Sequence, residues 1–263
     1  MTDCPKQLRI ALIGAGTIGA ELLRNIPSLP GAELVAVLTR SATARSDGLA
    51  NVQTVAALLA LQPDVVVECA GADAFAAHVP AVLAAGVDVI AVSAAAMARK
   101  DVESAISGLQ GPHVGTLYFA SGAIGALDAL SAAREGGLTR VDVIQRKPPA
   151  ALLGPAEAGG LQEAKLIKSS SAREVALEFP QNSNVAAAAA IAGLGFDETR
   201  VTVIADPAVS TNSVELVAEG RFGNFRLVIE NQPSPTNPKT SMTPAMSVLA
   251  ALRRRSARIR IPA

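Results

Sequence analysis

The sequence predicts an α/β protein in two parts. An N-terminal Rossmann-type doubly wound parallel sheet comes first, followed by a C-terminal α+β part built on a mixed or antiparallel sheet. Three observations carry this reading. Short apolar runs alternate with helical stretches as far as residue 120. A glycine turn, GAGTIG at 14–19, joins the first apolar run to the first helix. Beyond Thr139 the text becomes a series of strands separated by turns. Strands alternating with helices stack as a parallel sheet covered on both faces, whereas strands following strands pair mostly antiparallel.

Residues 10–13 form the first buried strand, and an amphipathic helix opens at Thr17. Between them Gly14 permits a tight turn, Gly16 lets the backbone approach a diphosphate, and Gly19 lets the helix pack closely on the strand. This is the dinucleotide fingerprint in its required strand-to-helix context, so Gly14, Gly16, Thr17, Ile18 and Gly19 are assigned to the cofactor. The second strand, 31–38, runs into Thr39-Arg40-Ser41. A carboxylate at that point selects NAD by binding the ribose 2′-OH. An arginine flanked by hydroxyls suits a 2′-phosphate instead, so NADP is expected as well as NAD. The plainer alternative is that Arg40 is a solvated loop cation.

A short helix at 55–61 precedes a buried strand that ends at Cys69-Ala70-Gly71. A helix at 74–85 stops at Gly86, and a strand at 87–92 ends at Ser93. Ligands of doubly wound sheets lie along the carboxyl ends of the strands. Cys69, Ala70, Gly71 and Ser93 therefore join Thr39, Arg40 and Ser41 as cofactor residues. His78, inside an alanine-rich helix, reads as a packing or surface residue.

A strand at 117–120 leads into a second small-residue turn, Ser121-Gly122-Ala123-Ile124-Gly125, which opens a helix at 126–134. Strands are expected at 140–146, 164–169 and 200–205, with a loop from Lys147 to Gly160. Ser171-Ala172-Arg173-Glu174 is a capping box that starts a helix ending before Pro180. Asn182-Ser183-Asn184 stands at the N-terminus of a helix at 185–192, and a hairpin joins 213–219 to 224–230. Residues 231–239, with three prolines, read as an irregular loop, and a helix at 244–255 is expected to return to the first part. The resulting division is a nucleotide-binding domain at 1–118, a catalytic and dimerisation domain at 119–240, and a returning C-terminal helix at 241–263.

The 263 residues carry 23 Lys and Arg against 23 Asp and Glu, a balance that leaves no electrostatic footprint for nucleic acid or an anionic membrane. The arginines at 253–260 read as a solvated helix end. Two cysteines and two distant histidines make neither a disulfide framework nor a metal site. No stretch has the pattern of a signal peptide or a confident membrane span. The expectation is a cytoplasmic protein that uses a small-molecule substrate and binds neither membrane nor nucleic acid.

Four stretches together resemble the L-aspartate dehydrogenase family: GAGTIG at 14–19, SGAIGALDAL at 121–130, FPQNSNVAAA at 179–188 and NPKTS at 237–241. RKPP at 146–149 and ADPAV at 205–209 fit as well. The resemblance implies a homodimer that oxidises L-aspartate to iminosuccinate, which hydrolyses to oxaloacetate and ammonia, or runs the reverse. It places Ala123 and Asn184 at the nicotinamide, and Lys239, Thr240 and Ser241 along the substrate pocket. The small-residue turn points backbone N–H groups at something anionic, so Ser121 and Gly122 are assigned to the substrate, and Asn184 at its helix N-terminus can orient a carboxamide or a substrate carboxylate. Cationic and hydroxyl donors are what a dicarboxylate requires. For each of these residues the alternative is a capping or loop-stabilising role. Dihydrodipicolinate reductase shares the two-part plan, but its paired-histidine stretch is absent.

One position departs from the family pattern. Its catalytic histidine lies in an N-x-H-E stretch, and this chain reads Asn212-Ser213-Val214-Glu215. Valine at 214 neither accepts nor donates a proton. Three readings follow. Another group, such as Lys239 or a water held by Asn212 or Glu215, supports aspartate oxidation. The chain is a diverged imine or carbonyl reductase with a different substrate. Or it is a catalytically weak, nucleotide-binding dimer.

Overall fold

A computed structural model describes residues 7–41, 47–234 and 237–260, with the backbone alone at 233, 234 and 237–240. The chain forms two compact units. One takes the residues up to Ala96, Lys100–Ala120 and the chain from Ala245; the other takes Met97–Arg99 and Ser121–Pro244.

In the first unit the strands β1 (Leu8–Ile13), β2 (Ala32–Leu38), β3 (Ala50–Val52), β4 (Val65–Glu68), β5 (Asp88–Ala91) and β6 (Leu117–Phe119) form one parallel sheet in the order 3-2-1-4-5-6. Chain order reverses between β1 and β4, the switch point at which doubly wound sheets bind dinucleotides. Helices α1 (Thr17–Asn25), α2 (Val55–Ala60), α3 (Ala72–Ala84) and α4 (Lys100–Ser107) connect the strands. Ile10, Leu12, Val65 and Val67 are fully buried, as continuous β-branched and leucine runs in a two-sided parallel sheet require. Leu22 and Ile26 are buried members of the same core. The three-residue β3 and the helix α4 are additions to the sequence reading. β3 is too short to show a period, and α4 buries only Val102.

The C-terminal helix α9 (Thr243–Ser256) contributes Ala245, Val248 and Leu252 to the same core. Burying Val248 and Leu252 is worth about 1.5–3 kcal/mol each. Arg255, expected at a solvated helix end, instead pairs with Asp88 and lies over the Tyr118 ring, 5.5 Å from its centroid.

The second unit is a five-stranded sheet of β7 (Leu138–Lys147), β8 (Lys165–Ser171), β9 (Arg200–Ala205), β10 (Asn212–Gly220) and β11 (Gly223–Asn231), ordered 11-10-7-9-8. It is mixed: β7 and β9 run parallel, and the remaining pairs are antiparallel. Helices α5 (Leu127–Glu135), α6 (Pro155–Gly160), α7 (Ala172–Glu178) and α8 (Asn184–Ala192) complete it. α5, α7 and α8 pack on the sheet. Ala186 through Ala190 are all buried, because a helix without bulky side chains lies close to both its sheet and its neighbour. The serine half of the capping box forms: Glu174 N–H donates to Ser171 Oγ at 3.2 Å, while the Glu174 carboxylate accepts from Ser170 Oγ instead of the Ser171 N–H.

Two expected loops hold structure. Residues 147–160 contain α6, started by Pro155 at its first turn and burying none of its residues, so no apolar stripe announces it. Residues 231–239 contain β12 (Pro233–Ser234) and the first part of its partner β13 (Asn237–Ser241), which the proline content hides.

Candidate active site

The first unit brings its assigned cofactor residues to one edge. Gly14 follows β1, Thr39 follows β2, Cys69 follows β4 and Ser93 lies just beyond β5. Gly14 adopts φ +103°, and a Cβ there would lie 2.7 Å from the Cβ of Ala70. A Cβ on Gly19 would lie 2.4 Å from Gly14 O, so this helix rides directly on the turn. Gly16 differs. A Cβ there meets nothing within 4 Å, and no side chain caps α1 or places a carboxylate in its first turn. Backbone donors and open space at a helix N-terminus fit a diphosphate. A cavity lined by Leu8, Leu29, Gly31 and Leu252 opens at the N-terminal ends of β1 and β2, the edge opposite Gly14.

At the end of β2, Thr39 Oγ1 lies 2.8 Å from both Ser41 O and Asn51 Oδ1. Its single proton serves the loop, which leaves Arg40, at the exposed tip, as the group suited to a 2′-phosphate. No carboxylate occupies 39–41 to select against that charge.

Glu68 escapes the sequence reading. It ends β4 fully buried, and Oε1 accepts from Ala70 N at 2.8 Å, Gly71 N at 3.0 Å and Ser93 Oγ at 2.9 Å, while Oε2 accepts from Ser93 N at 3.2 Å. Burial pushes its pKa up, against the pull of these donors. One carboxylate thus sets the shape of the Cys69–Gly71 turn and ties it to Ser93. Burial and the neighbouring Glu68 keep Cys69 a thiol, with its pKa far above the usual range.

The second unit gathers its candidates at one end of its sheet. β7 and β9 finish there and β10 starts there, because β10 is antiparallel to β7. Asn231, at the end of β11, pairs with Asn212 at the start of β10. Asn231 Nδ2 donates to Ala123 O at 2.9 Å, and Thr243 Oγ1 donates to Asn231 Oδ1 at 2.6 Å. Asn212 Nδ2 lies 3.4 Å from Ser241 Oγ. Gly122 takes φ +64° in the turn that precedes α5. On the other side, Lys147 Nζ donates to Asn182 Oδ1 at 2.7 Å, two residues before Asn184 opens α8. Ser183 Oγ turns back to Phe179 O at 2.8 Å, so it does not cap α8. Ser121, Gly122, Ala123, Asn184, Asn212 and Ser241 are therefore carried on one end of one unit. The side chains of Lys239 and Thr240 lie outside the described residues.

Val214 is 4% exposed and stands opposite Gln145 of β7 on the buried face of the sheet. Gln145 is 1% exposed, and its Nε2 has no hydrogen-bond partner among the described residues. Lys147, two residues further along β7, shares that face. Burial lowers its pKa to about 8. Glu215 points to the opposite face, where Arg226 holds it at 2.6 Å.

Residues 128–255 match the family described as "Aspartate dehydrogenase, C-terminal", and residues 14–120 match "Homoserine dehydrogenase, NAD binding domain". The L-aspartate dehydrogenase of Ruegeria pomeroyi is 40% identical over 265 residues, covering 97% of this chain and 94% of its own. The chain belongs to the L-aspartate dehydrogenase family. A second L-aspartate dehydrogenase, from Pseudomonas aeruginosa, is 40% identical over 258 residues, or 93% and 96% of the two chains. The crystal structure of aspartate dehydrogenase from Thermotoga maritima matches with a TM-score of 0.80 at 27% identity, covering 97% of this chain and all of that one.

Against this family background the residues that sequence reasoning missed are Glu68, Gln145 and Lys147. One signal was available. The buried alternation Val143, Gln145 continues to Lys147 once β7 is allowed to run one residue past 146. Among the described residues no cluster of His, Cys, Asp or Glu is arranged to hold a metal ion, and no helix is long and apolar enough to cross a membrane.

Proposed function

We propose that this protein is an NAD(P)-dependent dehydrogenase that interconverts L-aspartate with iminosuccinate, and so with oxaloacetate and ammonia. The observation that carries this is the 36–40% identity to L-aspartate dehydrogenases along almost the whole chain, joined to a glycine turn whose geometry suits a dinucleotide. Residues 1–118 are read as the cofactor-binding part and 119–240 as the catalytic part.

The cofactor fits the residues present. Gly14, Gly16, Thr17, Ile18 and Gly19 would hold its diphosphate, and Thr39, Arg40 and Ser41 would hold its adenosine ribose. Cys69, Ala70, Gly71 and Ser93 complete that edge, while Ala123 and Asn184 are read at the nicotinamide. When bound, the nicotinamide supplies the acceptor or donor of the hydride at the substrate α-carbon. The chain's own groups bind and orient the dicarboxylate. Ser121, Gly122, Asn184, Lys239, Thr240 and Ser241 are the proposed contacts, and Asn212 positions Ser241. Reduction of oxaloacetate with ammonia by NADH and NADPH, and oxidation of L-aspartate by the oxidised forms, test the reading directly. Tight cofactor binding without turnover on L-aspartate or oxaloacetate would refute it.

Val214 favours a second reading. An apolar wall where the family pattern has a histidine suits a substrate with a less polar side chain, so a panel of other keto acids and amines belongs in the same assay. Higher kcat/KM on one of these than on oxaloacetate would select this alternative.

We further read the protein as a cytoplasmic homodimer. The outer face of the second sheet carries Val228 at 49% exposure on one edge strand and Leu166 at 59% on the other, with Ile204 paired to Leu166 and Glu215 between Val228 and Ile144. Exposed aliphatic side chains set among the Glu215–Arg226 pair on one sheet face suit a two-fold interface with a mixed apolar and charged character. Light scattering on purified protein measures the mass, and a monomer at micromolar concentration would exclude the dimer.

A further inference from the structure

Oxidation of an amine requires a group that takes a proton from nitrogen, and it works best with a pKa near the working pH. Val214 does not do this. The two histidines both belong to the first unit: His78 sits within α3, and His113 lies beside Gly86 at the N-terminal edge of the sheet, opposite the glycine turn. Lys239 lies on β13, where only the backbone is described.

We propose that Lys147 is the catalytic base of this protein: its Nζ accepts the proton that the substrate ammonium must lose. The proposal rests on the aspartate dehydrogenase reading above. Lys147 ends β7 on the face shared with Gln145 and Val214, at the end of the sheet where Ala123, Asn212, Asn231 and Ser241 converge. Its Nζ is held 2.7 Å from Asn182 Oδ1, next to the start of α8 and Asn184. Asn182 is uncharged. A neutral lysine amine has two N–H donors and one lone pair, so donating to Asn182 fixes the nitrogen and leaves the lone pair for a proton. The proton balance is simple. The substrate R–NH3+ and the Lys147 amine become R–NH2 and the Lys147 ammonium, and the freed nitrogen lone pair then forms the C=N bond as hydride leaves the α-carbon.

The elements packed around Lys147 explain why it is available as an amine. α8 carries no titratable side chain, and β9 carries only Arg200, at its far end. On β10, Glu215 and Glu219 lie on the other face, and Arg226 and Glu230 of β11 pair with that same face. Asp206 is taken by Arg146 at 2.8 Å. No carboxylate among the described residues pairs with Lys147, and burial alone lowers its pKa, to about 8.

Two measurements test the proposal. In the first, the pH dependence of kcat/KM for L-aspartate is recorded for the wild type, Lys147→Met and Lys147→Arg. The wild type is expected to show an acid limb with an apparent pKa near 8. Both variants are expected to lose about 10²- to 10⁴-fold in kcat and to lose the limb. Cofactor affinity, read by NADPH fluorescence, is expected to stay within threefold, and primary amines in the buffer should partly restore Lys147→Ala. The second needs no variant: pulse acylation of the native protein across pH 6–11, followed by peptide mass spectrometry, reads when Lys147 becomes a free amine, with exposed Lys165 as reference. A midpoint near 8 supports the assignment. A midpoint above 10, or a Lys147→Met enzyme within threefold of wild-type kcat with its acid limb intact, overturns it while leaving the dehydrogenase reading standing. A wild type inert towards L-aspartate with both cofactors overturns that reading, and the proposal with it.

Discussion

Val214 and Gln145 face one another across β10 and β7, both buried, with no partner among the described residues for the Gln145 Nε2 donor. A valine cannot accept that hydrogen bond, and a buried donor left open costs about 1–3 kcal/mol. The departure from the family pattern at 214 therefore has a local structural consequence as well as a chemical one.

Restoring the histidine measures how much chemistry Val214 removed. Val214→His gives Gln145 an acceptor but places a larger, polar ring in a packed site, so the fold should lose about 1–3 kcal/mol. With Lys147 already taking the proton, kcat for L-aspartate should change by less than about tenfold. A gain of about 10²–10⁴ would show instead that the site lacked a base altogether. Steady-state kinetics paired with urea denaturation gives both numbers.

Lys147→Met should fold more stably than the wild type at neutral pH. The unfolded lysine holds its proton up to about 10.5, and the folded one releases it near 8. Below pH 8 both states are protonated, and the fold bears the whole cost of burying the charge, of order 3 kcal/mol. Between pH 8 and 10.5 the unfolded chain binds more protons, so the stability of the wild type rises with pH through that window. The advantage of the methionine variant should shrink over the same range. Thermal melts at pH 7 and pH 10 compare the two, and a variant less stable than wild type at pH 7 would show that Lys147 contributes structure rather than cost.

Gly16 and Gly19 should respond differently to alanine. At Gly19 the new methyl would sit 2.4 Å from Gly14 O, so the turn must open. A loss of about 1–3 kcal/mol in stability, with weaker cofactor binding, is expected. At Gly16 the methyl meets no protein atom, so stability should stay within about 0.5 kcal/mol. Cofactor affinity should nevertheless fall at least tenfold if the diphosphate approaches there. Equal affinities of wild type and Gly16→Ala for both nucleotides would place the diphosphate elsewhere.

Cofactor choice should follow Arg40. Thr39 spends its proton within the loop, and the guanidinium is the charged partner proposed for a 2′-phosphate. Arg40→Asp removes a charge-assisted contact worth about 1.5–3 kcal/mol and adds repulsion. The KM for NADP+ should rise by about tenfold to a hundredfold, while that for NAD+ holds or falls. Unchanged discrimination between the two would assign Arg40 to solvent alone.

What the sequence determined by itself was local and periodic. The strand–glycine–helix arrangement at 8–25, the alternation that orders the first sheet, the capping box at Ser171 and the scattered motifs of one family are all readable in short windows, because steric and periodic constraints act over a few residues. Short or unpatterned elements were not legible: β3 and α4, and the pair β12 and β13 hidden among prolines. The tertiary structure decided what depends on distant partners. It alone shows that Glu68 gathers the ends of β4 and β5, that β7 lies parallel to β9, and that Lys147 comes to rest against Asn182, thirty-five residues away. A lysine in the text is a solvated cation by default. Only the helix and strands that close around it remove the water, and with it the preference for charge.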